Sequence, residues 1–458
     1  MEMSFFQFFM MVATVVIVIG IGLYAARSVN SAEGYSLGGR SAGAAMVAGS
    51  IAGTVVGGGA TVGTAQLAYT LGLSAWWFTL GSGISFIIMG LIYAKPLRST
   101  ALETIPQYLA LNYGKSAAKI ASVLSSGGMF FAAVSSALPA IQIISSLFKI
   151  SVLWAAVLLI VLVAAYVFFG GMKTAGVGGI LKMAVIWTSL FAAGGSALFL
   201  IFDNPALRNG LPAYPYWSLF GNGVNGAMAN LFSLIVGIIC TQTYIQAIFS
   251  ASSPRTASIG AFVAAAIVIP VGLPSAFIGM YMKMTAPDML PILVLPAYLL
   301  GKVPEWLGGI AMGGIMLSLI SSMGGMALGI GTILSRDLIA PFLKLEDGLK
   351  QLTVTRLTVV SIMVIAVVFS IANLGSQILV WNYLSMALRG CGIFLPLTIA
   401  LFRPKCIEPN WAIASMVLSV LTAVAATVLG SPVKPLFLGL GVSLLVLIPG
   451  YFVKKSEP

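Results

Sequence analysis

From Phe5 to Ala26 the chain runs without one charged side chain, and similar stretches recur to its end, separated by short segments that hold most Pro and charged residues. About 20 apolar residues cross the hydrocarbon of a bilayer as a helix, because lipid offers backbone N–H and C=O groups no partner outside the segment itself. Splitting the chain at that punctuation predicts spans near residues 5–26, 42–70, 74–96, 117–148, 151–171, 176–202, 225–250, 256–282, 305–335, 353–373, 376–402, 409–430 and 433–453. The predicted fold class is therefore an all-α polytopic membrane protein of about thirteen transmembrane helices. With 59% hydrophobic and 7% charged residues, the chain has more apolar surface than a soluble domain could hide.

The run at 5–26 is too long for a signal-peptide core and lacks a cleavage pattern, so it reads as a retained span. Lys and Arg outnumber Asp and Glu by 23 to 11, a balance that in a soluble chain would point to nucleic acid. Placement removes that reading. With the amino end outside, Arg27, Arg40, Lys95, Arg98, Lys115, Lys119, Lys173, Arg255, Arg336, Lys344 and most of the remaining cations share one side. Lys149, Arg208, Lys283, Lys302 and Lys434 are all the other side receives. The positive-inside rule then puts the carboxyl end in the cytoplasm, in a plasma (inner) membrane. Cys240, Cys391 and Cys406 are scattered, and the chain has no His, so neither a disulfide framework nor an imidazole metal site is implied. Without paired acids in the spans there is no catalytic set, so no enzyme, no cofactor and no obligatory protein partner is expected. No filter motif argues for a channel.

Within 42–70 lies Ser50-Ile51-Ala52-Gly53-Thr54-Val55-Val56-Gly57-Gly58-Gly59-Ala60-Thr61. Each glycine weakens a helix interior by about 1 kcal/mol, so Gly57, Gly58 and Gly59 together favour an opening of the helix. In lipid such an opening survives only against protein or a watery cavity, which marks the triplet as a candidate substrate-binding stretch. The alternative is that small residues let a neighbouring helix approach closely. A second interruption is read at Gly237 to Gln242. One leading helix (1–41), two inverted five-helix units (42–202 and 225–402) joined by an extracellular loop (203–224), and two trailing helices (403–458) account for the pattern. The loops 203–224 and 283–304 are candidate lids, and Glu103 to Tyr108 reads as an amphipathic stretch at the cytoplasmic interface.

In 305–335, offsets of three and four residues put the hydroxyls of Ser318, Ser321 and Ser322 on one helix face. Hydroxyls, with carbonyls freed by a helix break, suit a hard monovalent cation; such serines also act as interhelical glue. Taken with Tyr35-Ser36-Leu37-Gly38-Gly39-Arg40, Gln242 to Gln246, Ser253-Pro254-Arg255 and Ser335-Arg336-Asp337, the chain resembles the sodium/solute symporter family over nearly its whole length. The resemblance implies a leucine-transporter-like 5+5 inverted repeat. It also implies one sodium ion held by carbonyls of Ala52, Val55 and Ser318 and hydroxyls of Ser321 and Ser322. Gly324 and Gly325 stand where members with a second sodium have serines, which puts a second ion in doubt. For substrate, the resemblance points to Thr79 and Ser82 and, on the second broken helix, to Thr241, Gln242 and Tyr244.

Two cations are left over from the loops and lie deep inside spans. Lys182 stands in Gly178-Gly179-Ile180-Leu181-Lys182, where many members of that family have Thr-Asp and then Gln, so an acid is lost and an amine gained. It either snorkels to water or points inward, where no carboxylate in a span could pair with it. Pointing inward, it is expected to take part in coupling, its ammonium replacing or competing with sodium so that protons drive transport. Arg389 is about 20 Å of helix from either end of its span, too far to snorkel. A guanidinium there needs a cavity or a partner. It is expected either to meet the carboxylate of an anionic or zwitterionic solute or to cap backbone carbonyls at a helix break. The function expected is cation-coupled uptake of a small, carboxylate-bearing solute by alternating access; the rival is a transporter-derived receptor without net transport.

Overall fold

The computed structural model describes residues 2–27, 29, 31–168, 171–345, 348–431 and 433–456. Helices occupy every segment the hydropathy marked. In chain order they are α1 (Phe5–Ala26), α2 (Ala44–Val55), α3 (Thr64–Leu71), α4 (Trp77–Ile88), α5 (Ile105–Phe148), α6 (Val152–Val167), α7 (Gly171–Asp203), α8 (Val224–Ile239), α9 (Gln242–Ser250), α10 (Pro254–Thr285), α11 (Glu305–Ile333), α12 (Gly348–Ile371), α13 (Ile378–Phe402), α14 (Pro409–Val428) and α15 (Pro435–Ser456). The count of crossings differs from the expected thirteen. Among the described residues 10 helices are long and apolar enough to cross a membrane, or 11 if the bent α8–α9 pair counts as one. The segments α2 and α6 are apolar but too short by themselves, the first because the glycine break cuts it at Val55.

Both predicted interruptions are present. After α2 the backbone leaves the helix at Val56 (ψ 73°), turns through Gly57 and Gly58, and resumes in a wide turn at Gly59–Gly63 before α3. The glycines owe their place to close approach rather than to unusual dihedrals, since Gly58 is ordinary right-handed backbone. A Cβ on Gly57 would strike Ser322, and one on Gly59 would lie 2.7 Å from Asn382 Nδ2. The helix opening and the close approach therefore occur together at the triplet. The second break, at Cys240 and Thr241, bends α8 against α9 by 49°.

Of the spans, α11 is the most deeply buried, with 94% of its core window inside the protein. It packs against α1, α2, α5, α7 and α12, while α13 lies along α5. The break in α2 is thereby enclosed by α5, α7, α11 and α13. Glu103 to Tyr108 is packed inside the protein: Ile105 opens α5, and Ile105 and Leu109 are fully buried. A kink at Gly114, whose φ of 84° excludes most side chains, redirects the helix into its long limb.

The family-like motifs converge on the Lys- and Arg-rich face. Glu103 accepts from Arg336 Nε at 2.9 Å and Ser36 Oγ at 3.1 Å, and its second oxygen accepts from Arg336 Nη2. Asp337 accepts from Thr104 Oγ1 (2.8 Å) and Gln107 Nε2 (3.2 Å), and Gln246 Nε2 donates to Ser36 O. Ala42 pairs with Ala251 as a one-residue bridge, and Arg98 Nε donates to Ala251 O. These bonds close that face. On the opposite face the segments 203–224 and 283–304 fold back over the bundle: Trp77 Nε1 donates to Leu219 O (2.7 Å) and Tyr69 Oη to Ala286 O (2.7 Å).

Candidate cation and solute site

Gly49 and Gly53 on α2 meet Gly179 on α7 backbone to backbone; an added Cβ on Gly53 would lie 2.7 Å from Gly179 Cα. Small residues permit that approach, and Lys182 follows Gly179 by three residues, so its stem emerges beside the break. Lys182 has no exposed surface. Its Nζ donates to Gly53 O (2.5 Å), Val56 O (2.8 Å) and Ser321 Oγ (2.8 Å). Three N–H groups meet three acceptors, which is a complete set for an ammonium.

The expected ligands are redistributed around it. Ala52 O accepts from Val56 N at 2.9 Å and Val55 O from Gly57 N at 2.9 Å, so both expected carbonyls keep a backbone partner. The break leaves Gly53 O, Thr54 O and Val56 O to side-chain donors. Ser321 keeps its expected place and also donates to Gly53 O at 3.0 Å. Ser318 Oγ donates to Val56 O (2.5 Å) and Ser322 Oγ to Thr54 O (2.6 Å), so these two serines bond the break directly. Gly325 packs against Thr54, which accounts for the absence of a serine there.

Beside the break is a cavity whose lining residues are all buried, with about 10 Å³ of room for the centre of a water molecule. That is about enough for one water. Gly57, Gly59, Tyr244 and Arg389, four of the expected substrate residues, line it. Gly58 instead packs against Ser135 and Ser136. The remaining four expected residues do not line it, because each is tied to backbone elsewhere. Thr79 Oγ1 donates to Ile269 O (3.2 Å), Ser82 Oγ to Phe78 O (2.6 Å) and Thr241 Oγ1 to Gly237 O (2.7 Å). Gln242 belongs to the closed basic face, donating to Glu103 O (2.8 Å) and accepting from Ile105 N (2.9 Å). The lining adds Phe78, Ser135, Ser136 and Asn382, which sequence reasoning missed. Asn382, two turns before Arg389 on the same helix face, was the one with a readable signal.

Arg389 is fully buried. Nε donates to Gly237 O (3.1 Å) and Nη1 to Ser385 Oγ (2.9 Å), while Nη2 has no partner among the described residues. Asn382 Nδ2 is likewise buried and unpartnered. Gly237 precedes the break residue Cys240 by three, as Gly53 precedes Val56. Each long apolar helix that follows a broken one at the end of its unit, α7 and α13, thus offers a basic side chain to a carbonyl at the end of a half-helix. Such an end carries partial negative charge.

A model of the sodium:solute symporter family matches residues 35–419. The chain belongs to the sodium:solute symporter family. That is a family of transporters, not enzymes. Among its relatives are the high-affinity choline transporter 1 of Torpedo marmorata, 26% identical over 377 residues that cover 75% of this chain and 64% of that protein. The human high affinity choline transporter 1 is 25% identical over 349 residues, 69% of this chain and 59% of that protein. This symporter-family chain therefore spans less than two thirds of the length of these relatives. Among solved structures, the substrate-bound outward-open state of a Na+-coupled sialic acid symporter superposes with a TM-score of 0.82 at 16% identity, covering 99% of this chain and 98% of the other. A nucleobase-cation-symport-1 family transporter in a closed conformation gives 0.61 at 12% identity, covering 94% and 96%. Both likenesses show the leucine-transporter-like fold.

The family implies sodium, and the residues at the break can be tested against it. Two of the three freed carbonyls, Gly53 O and Val56 O, and the Ser321 hydroxyl are the acceptors of Lys182 Nζ. A sodium ion sharing them would lie about 4 Å from the ammonium, a repulsion of about 4 kcal/mol at an effective dielectric constant near 20. With Lys182 seated there, the site does not fit a sodium ion.

Proposed function

We propose that this chain is a secondary active transporter that moves a small carboxylate-bearing solute, anionic or zwitterionic, by alternating access. The observation that carries the solute class is the unpartnered Nη2 of Arg389, a buried donor on a cavity lining. An ionised donor left unpaired away from water costs about 1–3 kcal/mol or more, and a carboxylate recovers that through charge-assisted hydrogen bonds. Asn382 Nδ2 offers a second donor to a solute acceptor. The cavity is closed to both faces, so solute entry and exit require the bundle to rearrange around it.

The curated relatives are named for choline, a cation. Phe78 and Tyr244 offer the aromatic faces a quaternary ammonium favours, but the cavity lining contains Arg389 and no carboxylate. A solute that keeps its cationic group needs a carboxylate at its other end to answer the guanidinium. Coupling is to a proton carried on Lys182 at the α2 break, whose acceptors the ammonium holds. The distribution of Lys and Arg supports a cytoplasmic basic face, with the amino end outside and the carboxyl end in the cytoplasm.

The test compares choline with its carboxylate counterpart trimethylglycine, and with small monocarboxylates and sugars, by thermal shift of purified protein and by accumulation in proteoliposomes. Stabilisation and accumulation of the carboxylates alone are expected. Stabilisation by choline or an uncharged sugar, with no response to any carboxylate, would overturn the solute class.

A further inference from the structure

We infer that the cation at the break of the first broken helix is the ammonium of Lys182 itself, and that this chain binds no sodium ion there. The inference deepens the carrier reading above, on which its consequence for transport rests. The occupancy stands on the geometry alone.

The acceptors that a free ion would need are taken up. Gly53 O, Val56 O and Ser321 Oγ each accept from Nζ within 2.8 Å, and the ammonium has no fourth donor to place. Ser318 and Ser322 donate their hydroxyl protons to Val56 O and Thr54 O, which ties both serines to the break. The glycine contact of Gly53 with Gly179 holds α7 against α2 and so keeps the stem of Lys182 beside the break. The second unit carries the same device: Arg389 donates to Gly237 O, the carbonyl three residues before its own break. Both half-helix ends are thus answered by tethered cations. A tethered charge does not cross the membrane as cargo, so a sodium gradient exerts no force through this position.

The experiment titrates the purified full chain with NaCl against KCl at constant ionic strength, reading Tm, and measures saturable binding of radioactive sodium. Wild type is expected to show no sodium-specific shift and no saturable binding. Lys182→Ala frees the carbonyls and the space, and is expected to gain a saturable sodium-specific rise in Tm of about 2 °C or more. A sodium-specific, saturable response of wild type that Ser321→Ala abolishes would overturn the inference, and it needs no Lys182 variant to fold. Carboxylate uptake is scored separately. Absent uptake together with absent sodium binding removes the carrier reading and leaves the inference standing; uptake with sodium binding in wild type does the reverse.

Discussion

Replacing Arg389 with methionine separates the two roles its geometry allows, as a recognition group and as a cap on Gly237. The side chain is fully buried, makes two hydrogen bonds and leaves Nη2 unpartnered. Both partners keep a bond after its loss. Gly237 O still accepts from Thr241 Oγ1 at 2.7 Å, and Ser385 Oγ still donates to Gly128 O at 2.5 Å. Methionine fills a similar volume without burying a charge, and replacing buried charged groups by apolar ones of matched size is commonly neutral or stabilising by about 1–4 kcal/mol. The ligand-free variant should therefore unfold at or above the wild-type temperature. Affinity for the carboxylate should fall, since a hydrogen bond to a charged group is worth about 1.5–3 kcal/mol, or about 10- to 150-fold in Kd. Differential scanning fluorimetry with and without a responsive monocarboxylate, followed by calorimetric titration, measures both quantities on one sample. A variant several degrees less stable, binding carboxylate with unchanged Kd, would show that Arg389 only caps the break.

Gly57→Ala should cost about 1–3 kcal/mol of stability and most of the uptake, because the added methyl falls on Ser322; Ser322→Gly in the same chain should restore Tm, whereas Ser322→Ala should not, since the Cβ is itself in the collision. Glu103→Gln removes the ion pair with Arg336 and should shift the population toward the form open on the basic face by about 1–2 kcal/mol, about 5- to 30-fold. In a Cys406→Ser background the readout is faster maleimide labelling of Cys240, which is fully buried at the second break. Ser321→Ala removes one of three acceptors from Lys182 Nζ and should lower Tm by an amount matching about 1–3 kcal/mol, while Thr188→Ala on the exposed side of α7 should leave Tm within experimental error.

Much of the site could be read along the chain, but only where the information is local. Lys182 and Arg389 stood out because an ionised side chain in an apolar run demands a reason. The glycine triplet marked its break because helix propensity is a property of neighbouring residues. Reading named Ala52 and Val55, one residue short of Gly53 and Val56, whose carbonyls accept from Lys182 Nζ, because which bond opens depends on how the turn at Val56 closes. It went further astray at Gln242, whose amide bonds to Glu103 and Ile105 after a bend of 49° carries α9 to the basic face.

Hydropathy determined that this chain spans a membrane as helices, where two of them break, and that two basic side chains enter the spans with no acid beside them. Whether those charges meet solute, water or backbone was decided by tertiary packing. Backbone contact between Gly53 and Gly179, residues far apart in sequence, brings an amine within 2.8 Å of the freed carbonyls, and no local propensity encodes a distance between two helices.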